Sequence, residues 1–360
     1  MEYKRECVEL IKALADAPGV SGFEDEVLKI ARKELENICR VEEDPIRNLY
    51  FYRKENTGNK PVIMLDAHSD EVGFMVHSIR PQGTLRVVKI GGWKVNSLPS
   101  SKVLVRNALG EYIPGVFASK PGHFATAADK QGGEMAISDL SLDIGATSKE
   151  EAVEKFHIRI GEPVVPATKC EFDEEHDLFF GKGFDCRIGC AALIETMKRL
   201  EGLDLPCDVV GVLSSQEEVG ERGCTVSVNH VKPDVAICYE GCPADDTFTE
   251  SYAVQTALKK GPMFRHMDVS VICNPRFQRF VLDTAARKSL AVQESVREGG
   301  GNDAAIITKS LGGVPAVTAG VPVRYIHSMN CITSYFDFEA TAVLVTEVVK
   351  ELTPEIIASF

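Results

Sequence analysis

Three short runs of consecutive apolar residues, each closing on acidic or metal-binding side chains, limit what this chain can fold into. Pro61-Val62-Ile63-Met64-Leu65 leads into Asp66-Ala67-His68, Val209 to Leu213 leads into Ser214-Ser215-Gln216-Glu217-Glu218, and Val235 to Tyr239 ends at Glu240. Unbroken apolar runs of this length suit strands covered on both faces. Helical stretches lie between them. Val8, Ile11 and Leu14 stripe a first helix and Val27, Ile30 and Leu35 a second, with Pro18-Gly19 between. Ser21-Gly22-Phe23-Glu24 reads as a capping box for the second. Further helices are expected after Asp185 (Leu193, Met197, Leu200), over Pro275 to Leu290, after Asp303 and from Asp337; further strands are expected near Val292 and over Pro315 to Thr318. Strands alternating with helices predict an α/β fold, a mixed central sheet with helices on both faces. From Gly73 to Pro166 the texture differs. Segments such as Leu85 to Ile90 and Lys102 to Arg106 are separated by Gly, Pro and Asn, as in all-β domains. The expected organisation is an α/β domain of residues 1–72 and 167–360, interrupted by an inserted small β-barrel-like domain of residues 73–166. A length of 360 residues accommodates two or three domains.

Composition excludes several partners. Apolar residues make up 44% and charged residues 26%, an ordinary globular balance. The net charge of −13 repels nucleic-acid phosphates and anionic bilayers, so neither nucleic acid nor membrane is an expected partner. No apolar run approaches the ~20 residues of a membrane span. The charged opening Met1 to Glu6 carries no signal-type apolar core, and a cytoplasmic location is expected. Eleven cysteines, an odd number without a C-x-x-C pair, read as reduced, mostly buried thiols.

The ends of the apolar runs hold the chemistry. Side chains alternate along a strand, so Asp66, His68 and Asp70 share a face, at the strand end where open α/β sheets bind ligands. His68 can hold a metal through one ring nitrogen while Asp70 accepts the other N–H; a solvated turn histidine is the plainer alternative. Glu217 and Glu218 repel each other unless a cation compensates, and as adjacent residues one can ligate while the other faces a reacting water; the alternative is an acidic turn. Asp185, ahead of a helix, is a cap or a ligand. Glu240 ends a strand, and His327 lies in Pro322 to Ser328. Together these residues match a two-ion site with ions ~3.5–4 Å apart. Nitrogen and oxygen donors without thiolate suit zinc, cobalt or manganese. In Gly299-Gly300-Gly301-Asn302-Asp303, before a helix, backbone N–H groups are candidates to bind a substrate carbonyl or carboxylate, and a flexible loop is the alternative. His77, His157, His176, His230 and His266 read as solvated or structural, and Trp93 as a packing residue of the β insert.

In their order along the chain, several strings resemble the TET aminopeptidases, tetrahedral dodecameric metallopeptidases also labelled glutamyl or deblocking aminopeptidases. They are Asp66 to Phe74, Ser119-Lys120-Pro121-Gly122-His123, Leu142 to Ala146, Gly181 to Arg187, Gln216 to Gly220, Gly301-Asn302-Asp303-Ala304 and Arg324 to Ser328. The resemblance implies two divalent ions per chain, zinc first, with cobalt or manganese as alternatives. It makes Asp185 the bridging ligand, with His68 and Glu240 completing one metal position and Glu218 and His327 the other. Glu217 becomes the general base, and Asp70 orients His68. Gly301, Asn302, Asp303 and His123 become substrate-binding candidates, His123 by reaching a neighbouring subunit. The insert becomes a dimerisation domain, six dimers close a hollow tetrahedron, and the substrates are short peptides. Two positions depart from the family pattern: Glu240 stands where it usually has Asp, and Asn302 where it usually has Thr. The first keeps open a carboxypeptidase or deacylase on the same site. A glycosidase using Glu217 and Asp185 leaves His68 and His327 without a role. A non-catalytic assembly protein leaves the whole ligand set without one.

Overall fold

The computed structural model describes residues 2–124 and 135–360, which form two compact units. The larger comprises the chain up to Glu71, Cys170–Ile326 and Cys331–Phe360. Its centre is an eight-stranded sheet in the spatial order Cys39–Glu43, Leu49–Arg53, Asp208–Ser214, Val62–His68, Val235–Pro243, Ala316–Val323, Met263–Met267, Gln293–Val296. The four strands from Asp208–Ser214 to Ala316–Val323 run parallel, whereas Leu49–Arg53 and Met263–Met267 flank them antiparallel. The sheet is therefore mixed.

The apolar runs are unbroken because alternate residues enter two different cores. Ile63, Leu65, Val209, Leu213, Ile237 and Tyr239 pack with the helices Glu2–Asp16, Phe184–Arg199 and Tyr335–Glu351. Met64, Val210, Val212, Ala236 and Cys238 face the other way, against Cys224 and Val228 of helix Arg222–Val231 and Ala304 and Ile307 of helix Ala304–Lys309. All eleven cysteines are buried as free thiols. No helix among the described residues is long and apolar enough to cross a membrane.

The string Ser21 to Glu24 does not cap a helix. Helix Asp25–Leu35 begins after Glu24 with no side-chain cap. Ser21 Oγ donates instead to Asp70, and Glu24 accepts the N–H of Gln216. Buried partners distant in sequence win over the local capping geometry.

In the smaller unit, Val72–Lys169 with His327–Asn330, six strands close into a barrel. Their order is Gly73–Ile79, Leu85–Ile90, Leu142–Asp143, Tyr112–Phe117, Lys102–Arg106, Pro163–Pro166. Phe74, Val103, Val105, Phe117, Leu142 and Val164 fill it. Trp93 stacks on Phe74 at 4.9 Å and donates its indole N–H to the Gly73 carbonyl at 3.1 Å. His327–Asn330 joins this unit because Met329 enters its core and Thr168 donates to the Met329 carbonyl at 2.6 Å. Four loop residues have no periodicity from which to read that placement.

Candidate metal centre

Parallel register gathers the acidic strand ends at one edge of the larger unit's sheet. His68 lies opposite Ser214, and Asp66 opposite both Val212 and Cys238, so Glu240 reaches the level of His68 on the adjacent strand. These are carboxyl ends of parallel strands, the usual ligand edge of an open α/β sheet. Beyond Ser214 the chain turns sharply. Gln216 takes φ 55°, Glu217–Val219 makes one 3-10 turn, and Gly220 sits at φ 113°. That turn brings Glu217 Oε2 to 3.9 Å from His68 Nε2. Asp185 arrives on non-helical backbone (φ −85°, ψ 104°) at the start of the helix that runs to Arg199. Gly241 permits this approach: a Cβ there would lie 2.3 Å from the Phe184 carbonyl oxygen and 2.8 Å from Asp185 Cα.

One imidazole thus faces several carboxylates. Asp185 Oδ1 and Glu240 Oε1 each lie 3.2 Å from His68 Nε2, and Asp70 Oδ1 lies 3.3 Å from Nδ1. The side chains of Asp185, Glu217 and Glu240 are only 12%, 13% and 9% exposed. Burial first, then the Asp185 charge, push the Glu240 carboxyl up to about 8. Burial and the charges of Glu240, Asp303 and Glu218 hold Glu217 well above the carboxylate range, against His68. For Asp70, burial is outweighed by His68, Ser21 and the Glu217 N–H, which hold it below its ordinary value. Burial would lower His68, but Cys186, Glu217, Glu240 and Asp185 outweigh it and hold the imidazole well above its ordinary value. A single imidazolium cannot offset three carboxylates. A divalent cation would supply the missing charge, and imidazole plus carboxylate is a donor set that zinc, cobalt and manganese accept. Donor atoms of His68, Glu217 and Glu218 lie within 4.8 Å of one another, and so do those of His68, Cys186 and Glu240. The residues present fit a metal ion.

Two further carboxylates hold the Glu217 turn in place. Asp70 accepts the N–H of Glu217 at 3.0 Å, the N–H of Glu218 at 3.2 Å and the hydroxyl of Ser21 at 2.6 Å. Glu24 accepts the N–H of Gln216 at 3.2 Å and of Gly22 at 2.7 Å. Three consecutive N–H groups, 216 to 218, are therefore tied to buried acids. Ser21 and Glu24 are positioning residues that a local capping pattern conceals.

Glu24 Oε2 has no hydrogen-bond partner among the described residues, and burial plus the Asp70 charge push this carboxyl from 4.5 up to about 7. A carboxyl raised on folding contributes stability that is complete below about 4.5 and is lost as pH rises through about 7. Glu24→Gln keeps an acceptor for both N–H groups and removes the charge. At pH 8 the variant is expected to be more stable than the parent by up to ~3 kcal/mol, since each tenfold gain in proton affinity on folding is worth ~1.4 kcal/mol. The difference is expected to vanish near pH 4.5. Denaturant unfolding at both pH values checks this, and equal stability at pH 8 would show that the buried carboxylate costs nothing.

Behind Asp185 lies an ionic cluster. Lys182 Nζ donates to both Glu71 oxygens, at 2.6 and 2.9 Å. Arg187 donates to the carbonyls of Leu14, Ala17 and Gly19 at 2.8, 3.0 and 3.1 Å. All three charged residues are buried. Lys182 and Arg187 bracket Asp185 in sequence, so this cluster fixes its backbone against the end of the first helix.

The remaining candidates are placed differently. Asn302 is buried; its Oδ1 accepts from the Ala304 N–H at 3.0 Å and the Thr318 hydroxyl at 3.1 Å, and its Nδ2 donates to Asp268 at 3.3 Å. Asp303 is buried and accepts the Ser214 hydroxyl at 2.7 Å. The N–H groups of Ala305, Ile306 and Ile307 go to the carbonyls of Asn302 and Asp303. The side chains of Asn302 and Asp303 are therefore engaged within the protein, and Gly301 remains exposed. His123 is exposed in the 3-10 turn Gly122–Phe124, and the neighbouring positions 125–134 lie outside the described residues. His327 belongs to the smaller unit with φ 54°, its Nδ1 2.9 Å from where a Cβ on Gly92 would stand.

Residues 48–344 match the family model described as M42 glutamyl aminopeptidase. The chain is 32% identical over 354 residues to a glutamyl aminopeptidase of Lactococcus lactis subsp. cremoris, covering 98% of each protein. It superposes on a TET aminopeptidase from the marine sediment archaeon Thaumarchaeota archaeon SCGC AB-539-E09 with a TM-score of 0.93 and 35% identity, over 98% of this chain and 99% of that one. A TET1 peptidase of Pyrococcus horikoshii, which can assemble into a tetrahedron or a large octahedral shell, is 29% identical with a TM-score of 0.86, over 96% of this chain and 100% of that one.

Proposed function

The chain belongs to the M42 glutamyl aminopeptidase family, and from that premise we infer that it removes N-terminal residues from short peptides, with Glu217 as general base beside two divalent ions. His68, Asp185 and Glu240 would hold one ion and Asp185, Glu218 and His327 the other, with zinc the metal proposed and cobalt or manganese compatible with the same donors. When bound, the ions supply Lewis-acid polarisation of the scissile carbonyl and a lowered pKa for the attacking water. The protein's own groups do the rest. Asp70, at 3.3 Å from Nδ1, fixes the His68 tautomer and directs Nε2 toward Asp185 and Glu240. Glu217 accepts the proton of the attacking water and later passes it to the leaving amine. Its backbone N–H on Asp70 keeps the carboxylate over the strand ends. The acidic wall of Asp185, Glu217 and Glu240 attracts the free α-ammonium of a peptide. The observation that carries this reading is the convergence of Asp185, Glu240 and Glu217 on one imidazole nitrogen. The enzyme is proposed to act in the cytoplasm as a homo-oligomer, dimeric through the barrel unit and dodecameric overall.

A peptide panel tests the polarity. Acetylating the N-terminus is expected to stop cleavage, because no ammonium remains for the acidic wall, whereas amidating the C-terminus leaves it unchanged. The reverse pattern would make the protein a carboxypeptidase, the activity that Glu240 in place of the family's aspartate would suit.

A further inference from the structure

We propose that Cys186 is a thiolate ligand of the ion held by His68 and Glu240, which makes that metal position thiophilic. This rests on the metal-dependent reading above and adds to it a donor that the sequence pattern of nitrogen and oxygen ligands lacks. Cys186 follows Asp185 directly, and both residues have non-helical backbone at the head of the helix. Its sulfur, a ring nitrogen of His68 and a carboxylate oxygen of Glu240 lie within 4.8 Å of one another, and all three residues are buried. The place of the sulfur is built into the neighbouring elements. Gly189, three residues along the helix, leaves the volume open: a Cβ there would stand 2.3 Å from Cys186 Sγ and 3.3 Å from the Glu240 nitrogen. The thiol donates to the Tyr239 carbonyl at 3.3 Å, immediately before Glu240 on the strand. Cys190, one turn further along, gives its thiol to the His68 carbonyl at 3.0 Å, and it is Cys186, not Cys190, that groups with the His68 ring and the Glu240 carboxylate. Cys224 groups with Asp66 and Asp303, apart from His68 and Glu240.

The chemistry follows from the donor. A coordinating thiol loses its proton outright, so the Tyr239 hydrogen bond gives way, one proton leaves to solvent, and a sulfur–metal bond forms. A thiolate added to one imidazole and two carboxylates favours zinc, and disfavours manganese, which prefers oxygen.

The test uses the metal-stripped full-length protein loaded with cobalt(II). Cobalt content is measured by elemental analysis and the absorption spectrum is recorded. Thiolate ligation gives an intense near-ultraviolet charge-transfer band that nitrogen and oxygen ligands do not. The band is expected in the parent and in Cys224→Ser, and lost in Cys186→Ser, with Cys186→Ala as a second variant should serine prevent folding. Competition dialysis is expected to show the preference for zinc over manganese falling about tenfold or more in Cys186→Ser, the scale on which metal-site partners tune affinity. Bound cobalt without the band, or a band that survives loss of the Cys186 thiol, would overturn the proposal and leave the metal centre standing. Failure to bind cobalt at all would overturn the metal centre itself.

Discussion

Glu217→Gln is expected to lower turnover by ~10²-fold or more while metal content stays at the parent level, the usual scale for a lost general base. The substitution keeps the volume and the backbone ties of the turn, because the hydrogen bonds to Asp70 come from main-chain N–H groups. It removes only the ability to take a proton. His68→Ala is expected to behave differently: it removes the nitrogen on which Asp185 and Glu240 converge, so occupancy falls along with activity. Measuring kcat and metal content on the same preparations separates the two effects. Normal turnover in Glu217→Gln would assign the base to another residue.

Exhaustive chelation is expected to abolish hydrolysis, and zinc or cobalt to restore it. The same treatment is expected to lower the melting temperature. An ion that binds only the folded state stabilises it by ~4 kcal/mol at a free concentration ~1,000 times its Kd. Its removal leaves three partly buried carboxylates facing one imidazole. Full activity in chelator would remove the metal from the mechanism and reopen the glycosidase reading, which needs carboxylates alone.

Much of the larger unit is legible in the sequence because its central strands are covered on both faces, so every residue from Val62 to Leu65 and from Val209 to Leu213 is apolar or glycine. A run of that kind announces its own end, and His68, Glu217, Glu218 and Glu240 stand at those ends. The hairpin Cys39–Glu43 and Leu49–Arg53 is harder to see, since Arg40, Glu42 and Glu43 occupy the outer strand of the sheet. Ser21 and Glu24 mislead because their partners lie 49 and 192 residues away, and a tetrapeptide pattern reports only local competition. Cys186 reads as packing for the same reason: a strand and a helix, rather than its sequence neighbours, bring it to His68 and Glu240. In the run Gly299 to Asp303 the glycines suggest free donors. The sequence does not show that the side chains of Asn302 and Asp303 are buried acceptors, because their donors Thr318 and Ser214 lie 16 and 89 residues away.

The grip of Arg187 on the carbonyls of Leu14, Ala17 and Gly19 has a consequence for the order of biosynthesis. The first helix leaves the ribosome first, but its anchor is 168 to 173 residues behind it. Glu240 follows Gly19 by roughly 10 to 40 s at the ~5–20 residues per second of translation. For most of that interval the nascent chain carries His68 and Asp70 without the full set of acids that face His68 Nε2. An ion captured early would meet one imidazole and scattered carboxylates, a set that binds many metals loosely and discriminates among few. On the proposed metal-dependent mechanism, selection of the metal belongs to the completed chain, and a shortage of that metal is expected to leave a pool of folded enzyme that can be loaded later without new synthesis.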